Sequence, residues 1–347
     1  MKRALLLIAL LSRSGPIVRE APREPESYAL AQCAVVQLGA SPRLYLTRPS
    51  GEVEAVDLRT GRVLWHTKEA AFPLMARQDR LLALLPVVPG EPGWRLGVLS
   101  ARSGAVRTRL APWGPGGSVG DGMGSSMSLE SLAANGRVYV VWRSRSWTVS
   151  GVVHPAEAVH TASGAAEVDV VRATLVPVSR ELPEPSLPIH SDGGVAYHTG
   201  AFHVDDVTAV AATRFLGQKF QLVVHRQRGG AILPDVILCE PPWNSAGVSV
   251  SVDRRHVLGA CEDSATARRG VSDVVVQSTV SGERVGHFIS EAWPVSSLVW
   301  GHRLVYFVPD RVSVVDLVTG RRLFERPLRD LRYHGTYPPS VARPPGG

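Results

Sequence analysis

The apolar and polar residues of this chain fall into short alternating runs. Val53 and Ala55 alternate with Glu52 and Glu54, the period of a half-buried strand. Asp57 closes that run with a carboxylate able to accept turn amide hydrogens. Thr60-Gly61 then supplies a hydroxyl and a residue free to take positive φ, as a tight turn requires. Arg62 to Trp65 begins the return strand, and Trp65 is large enough to cover a neighbouring sheet. Upstream, Arg43 to Thr47 reads as another strand, with Pro49-Ser-Gly51 as its turn. No long stretch has helical periodicity. No run of 18 apolar residues occurs, so no ordinary transmembrane helix is expected.

The same frame appears near both ends. Residues 55–65 read Ala-Val-Asp-Leu-Arg-Thr-Gly-Arg-Val-Leu-Trp, and residues 314–324 read Val-Val-Asp-Leu-Val-Thr-Gly-Arg-Arg-Leu-Phe. The repeat residues are Asp57, Thr60, Gly61 and Trp65 in one copy and Asp316, Thr319, Gly320 and Phe324 in the other. Worn copies lie between, at Val98–Gly104, Val159–Gly164, Val224–Gly230 and Val276–Gly282. A repeated hairpin of this kind predicts an all-β fold, a β-propeller of six four-stranded antiparallel blades. The turn glycines at 61, 104, 164, 230, 282 and 320 place the blades at about 28–67, 71–111, 127–180, 186–240, 246–290 and 295–328. Their spacings are uneven, so long loops are expected in the middle blades. Seven blades is the alternative, if the 164-to-230 interval holds one more.

The frame resembles the repeat of the pyrroloquinoline-quinone-type (quinoprotein-like) propeller family, Ala-x-Asp-x-x-Thr-Gly-x-x-x-Trp. Residues 55–65 match every fixed position, and residues 314–324 match with Val for Ala and Phe for Trp. As repeats, the likeness covers most of residues 28–330. It implies that the Asp and Trp dock blades and say nothing of a cofactor. The family's quinone-dependent alcohol dehydrogenases are longer, usually have eight blades, hold calcium or a lanthanide, and often carry an adjacent Cys pair. This chain has no Cys-Cys. The resemblance therefore points to a non-enzymatic member without cofactor or metal, akin to the periplasmic propeller of the outer-membrane-protein assembly machinery. A dehydrogenase-like enzyme using the central channel is the alternative.

Composition fits one globular domain: 347 residues, 44% hydrophobic and 20% charged. The expected organisation is a signal peptide at 1–14, a flexible lead-in at 15–27, the propeller at 28–330 and a Pro/Gly-rich tail at 331–347. Lys2-Arg3 precede the apolar run Ala4–Leu11, and Ser12 and Ser14 supply small residues before Gly15, the grammar of a short secretory signal. A periplasmic or secreted location is expected, with the cytoplasm as the alternative. The net charge of +7 comes almost wholly from scattered arginines with no long basic run. That pattern reads as solvated strand edges, with no nucleic-acid partner. The cysteines are Cys33, Cys239 and Cys261, an odd number whose spacing suits neither zinc nor a redox pair. Cys239 and Cys261 end strands of adjacent blades; they form either a bridge or two small buried hydrophobes. Cys33 falls in an apolar strand.

Candidate chemistry is sparse. His198, His203, Asp205 and Asp206 are the densest cluster, with His154 and His160 a second, but their spacing matches no metal-ligand frame. The Gly-rich segment 114–124 lacks the Gly-Lys-Ser/Thr end of a phosphate loop and reads as a connector. No Gly-x-Ser-x-Gly elbow occurs. Tyr139 to Trp147 places Trp and Arg, residue types enriched at binding hot spots, on or beside a strand end. Arg143, Arg145 and Trp147, with Trp113, form the interface candidate; core packing and blade docking are the other reading of these tryptophans. The expected function is a monomeric, non-catalytic module that binds a protein partner.

Overall fold

A computed structural model describes residues 27–31, 33–86, 88, 93–115, 125–134, 137–147, 158–179, 201–216, 219–240, 245–262, 264–308 and 310–328. The expected leader at 1–14, most of the lead-in and the tail at 331–347 lie outside these.

Among the described residues, six antiparallel sheets follow one another along the chain. Blade one holds β1 (Ser27–Ala31), β2 (Ala34–Gln37), β3 (Arg43–Thr47), β4 (Val53–Asp57) and β5 (Val63–Thr67). Blade two holds β6 (Phe72–Arg77), β7 (Arg80–Leu84), β8 (Leu96–Ser100) and β9 (Val106–Arg109). Blade three is β10 (Ser125–Ala134), β11 (Arg137–Trp147), β12 (Ala158–Asp169) and β13 (Thr174–Val178). Blade four is β14 (Phe202–Val204), β15 (Val207–Leu216), β16 (Lys219–Arg228) and β17 (Ala231–Cys239). Blade five is β18 (Ser245–Val250), β19 (His256–Glu262), β20 (Ser272–Ser278) and β21 (Arg284–Ser290), with a short helix α1 (Ser264–Arg268) between β19 and β20. Blade six is β22 (Ser296–Trp300), β23 (Arg303–Val308), β24 (Arg311–Asp316) and β25 (Arg322–Pro327).

Each sheet is a meander in chain order, entered by its inner strand and left by its outer one. Inner strands meet around the axis, β2 against β6, β6 against β10 and β18 against β22. This is a six-bladed β-propeller. Side-chain alternation gives each blade two apolar faces. Tyr45, Val35 and Ala55 of blade one pack with Leu81, Ala83 and Leu99 of blade two. On the opposite face, Leu44, Leu46 and Val56 share a cluster with Val305, Val312 and Val314 of blade six, which closes the ring. Burying each of the valines and leucines contributes about 1.5–3 kcal/mol, more than one net hydrogen bond at about 1 kcal/mol, so apolar joints dominate the stability of the ring.

The structure adds a strand to blade one. β1 pairs with the axial edge of β2 and reaches the inner strands of both neighbours, β6 and β22. Its Leu30 is buried, and Ser27 Oγ accepts the Ala76 N–H of blade two at 3.1 Å. The sequence offers only a short run of five residues here, Ser-Tyr-Ala-Leu-Ala, without a turn residue between them and β2.

Two further corrections concern the middle blades. Gly164 is not a turn glycine. It lies within β12 opposite Trp142, where a Cβ would sit 2.5 Å from the indole nitrogen, so it is glycine to make room for that ring. The repeat turn of blade three is at Asp169, whose Oδ1 accepts the amides of Val171 and Arg172 at 2.9 Å, and Ala173 takes the left-handed position at φ +57°. Nor do loops account for all of the extra length expected in the middle blades. β10, β11 and β12 hold 10, 11 and 12 residues, and their ladder runs on from Trp142 to the Ser125–Ser146 and Trp147–Ala158 pairs. β15 and β16 of blade four extend in the same way, with 10 residues each. Blades three and four thus carry a raised strand edge that the described strands of the other blades lack.

Candidate functional site

The repeat residues build turns and joints. Asp57 Oδ1 accepts the amides of Arg59 and Thr60 at 2.9 and 2.8 Å and the Thr60 hydroxyl at 2.9 Å. Desolvation pushes the Asp57 carboxyl up, but the bonds from Thr60 and Arg59 outweigh it and hold the pKa below its ordinary value. Asp316 repeats this with Val318 and Thr319, the Thr319 amide lowering its pKa most. Gly61 and Gly320 take φ of +72° and +67°, which a Cβ would strain.

Across each joint the large residue of one blade meets the turn of the next. Trp65 is 9% exposed; its Nε1 donates to the Ala101 carbonyl at 2.9 Å, and its ring covers Gly104, where a Cβ would meet it at 2.6 Å. Phe324 covers Gly61 likewise, closing the ring. Phe324 has no side-chain N–H, and Arg303 Nη1 fills that role, donating to the carbonyls of Leu58 and Arg59 at 3.4 and 3.0 Å. Arg43, paired with Asp57 as Arg303 is with Asp316, donates to Ala101 at 2.6 Å. Trp300 lies beneath Arg59 and Arg303, at 6.0 and 5.6 Å from its ring centroid.

The joint between blades four and five is built differently. Its turn glycine, Gly282, lies under the guanidinium of Arg226, where a Cβ would sit 2.4 Å from Nη2. Arg226 is 5% exposed; Nη1 donates to Thr279 and Val280 and Nη2 to Pro234, all backbone carbonyls. Burial lowers its pKa, Arg228 adding to the effect and Asp235 opposing it. Cys239 of β17 is disulfide-bonded to Cys261 of β19 in the same joint. Neither Arg226 nor its role is legible in the sequence, because the residue comes from a strand interior rather than from the motif.

The interface candidates divide. Trp113 is half-buried, bridged to Trp94 through paired backbone hydrogen bonds of 2.7 and 2.9 Å, and Trp94 meets Trp142 edge-on at 6.2 Å. These three rings line the joint of blades two and three. Arg143 is half-buried, paired in register with Ser128 and Ser163 on the raised edge. Positions 145 and 147 continue that edge, opposite Thr161 and Ala158, but their side chains lie outside the described residues.

The histidine cluster does not converge. His203 Nδ1 pairs with Thr208 Oγ1 at 2.9 Å, while Asp205 and Asp206 meet Arg255 and Arg228 at 3.2 Å. His154, His198 and the His160 side chain lie outside the described residues, as do 116–124 of the Gly-rich segment. Among the described residues no group of three or more His, Cys, Asp or Glu could hold a metal, and no helix is long and apolar enough to cross a membrane. The register does assemble one polar cluster that the sequence conceals. Arg214 Nη1 and His225 Nδ1 meet the two oxygens of Asp235 at 3.0 and 2.8 Å, and Arg214 also holds Gln221. The pairs are largely exposed and contribute little to stability.

No family model and no curated protein matches the chain. Among solved structures it is similar to BamB from Moraxella catarrhalis (16% identity, 84% of this chain and 74% of that one, TM-score 0.23). It is similar also to the quinohemoprotein alcohol dehydrogenase from Comamonas testosteroni (12%, 88% and 62%, 0.25). A third is the WD40 domain of SCAP from fission yeast (10%, 87% and 97%, 0.29). All three TM-scores lie below 0.5, so the description of this chain rests on its own strands and joints. Among the described residues, six consecutive meanders with joined inner strands form a six-bladed β-propeller.

Proposed function

We infer that the protein is a non-catalytic interaction module that binds a protein partner on the raised edge of blades three and four. The extension of β10–β12 and β15–β16 beyond the other blades carries the reading. Such an edge offers a strand face and side chains held by a rigid scaffold, the usual location of propeller binding surfaces. Arg143 lies on it, and Arg is among the residues most enriched at interface hot spots. A location in the periplasm or outside the cell accords with the disulfide, which persists in oxidising compartments. Protein supplied with pyrroloquinoline quinone and calcium should oxidise no alcohol in a dye-linked assay. Turnover would replace this reading with the dehydrogenase-like one.

A further inference from the structure

Gly259 in β19 stands where a Cβ would lie 2.6 Å from Leu238 Cβ, so β17 of blade four is pressed onto blade five along this line. At the next residue of β17 the chain is covalently joined to blade five: Cys239 and Cys261 have Cα atoms 5.7 Å apart and are 1% and 0% exposed. The aromatic dock of the repeat is missing at this joint. Where the Trp65 indole covers Gly104, a guanidinium covers Gly282, bound only to backbone carbonyls and with its Nε lacking a hydrogen-bond partner. A cation withdrawn from water gives less net stabilisation than a buried indole.

We propose that the Cys239–Cys261 disulfide is a redox-dependent clasp that takes the place of the missing aromatic dock between blades four and five, so that the ring is fully closed only in the oxidised chain. The bond joins residues 22 apart in sequence and ties β17 to β19 in the folded chain, besides restricting the unfolded one. A dithiol reductant cleaves the Sγ–Sγ bond by exchange: the protein gains two thiols, and the dithiol becomes a disulfide, supplying two electrons and two protons. Because both sulfurs are buried, exchange requires β17 to part from β19 first, so folded protein is reduced slowly. Cys33 stays outside this chemistry, its thiol buried and its pKa pushed up to about 12 by desolvation.

The test begins with thiol titration of the purified chain, denatured without reductant. One thiol, Cys33, is expected; three would overturn the proposal. Thermal unfolding and hydrogen exchange are then compared with and without a dithiol reductant. Full reduction should lower Tm by roughly 5–10 °C and raise exchange in β17, β18 and β19 while leaving β3–β5 protected. A Cys239→Ala/Cys261→Ala chain should match the reduced protein and no longer respond to the reductant. An unchanged Tm on full reduction, or a rise in exchange spread evenly over all six blades, would overturn it. If the double variant does not fold, the wild-type titration and reduction decide alone.

Discussion

Arg226 Nη1 donates to the Thr279 carbonyl at 3.3 Å across blades four and five, just as Trp65 Nε1 donates to Ala101 at 2.9 Å across blades one and two. The two donors reach the same place in the repeat from different strands, Trp65 from the outer strand β5 and Arg226 from β16. In blade one the strand position facing the indole is Ala55, which pairs with Trp65 and leaves it room. In blade four that position is Arg226, whose side chain fills the space itself.

Removing the indole should cost stability twice over. Trp65→Ala deletes the ring over Gly104 and leaves Ala101 with one donor fewer, and is expected to destabilise by about 3–5 kcal/mol. Trp65→Phe keeps most of the packing and should cost about 1–2 kcal/mol. Chemical denaturation of both variants measures this; an unchanged midpoint for Trp65→Ala would contradict the docking role.

Arg226→Leu should destabilise by about 2–4 kcal/mol despite its apolar replacement, because the carbonyls of Thr279, Val280 and Pro234, the first of them buried, lose their donor. Arg226→Lys should recover only part of the loss, since an ammonium lacks the planar fork that serves Thr279, Val280 and Pro234 together. Equal stability of the leucine variant and wild type, by the same denaturation, would show the guanidinium to be a passenger.

How much of this was legible in the sequence depends on whether local chemistry or register decides. Asp57 to Trp65 and Asp316 to Phe324 carry their turns in adjacent residues, and their strands lie where the alternation places them. Blade three hides its turn because Ala173 stands where glycine is expected, and Gly164 draws attention nine residues too early. Strand β1 has no flanking turn signal. Arg226 and the trio Arg214, His225 and Asp235 are brought together only by pairing across strands, which no spacing along the chain encodes.

The left-handed Ala173 offers a simple check on the revised blade three. Its Cβ strains a conformation that glycine takes freely, so Ala173→Gly is expected to stabilise by about 0.5–1 kcal/mol, net of the glycine's greater unfolded freedom. A rise in Tm tests this. A loss of stability would mean that Ala173 is not in the repeat turn.

Acid should loosen the repeat turns. The pKa values of Asp57 and Asp316 are lowered in the folded chain, so their contribution is present above the ordinary carboxylate range and is lost as pH falls through the folded values. The urea midpoint of wild type should therefore drop below about pH 4, and an Asp57→Asn/Asp316→Asn chain should show a shallower decline over the same range. Parallel curves for the two proteins would remove the turns from the acid response.

The partner-binding claim is tested most directly by site-specific photo-crosslinking in the native host. A photoreactive residue replaces Arg145 on the raised edge in one chain and the exposed Val318 on the blade-six turn in another. The account expects one protein partner cross-linked from position 145 and none from 318, with the adduct lost when Arg143→Glu is added. Cross-linking that is equal at both positions, or unaffected by Arg143→Glu, would contradict a binding surface on blades three and four.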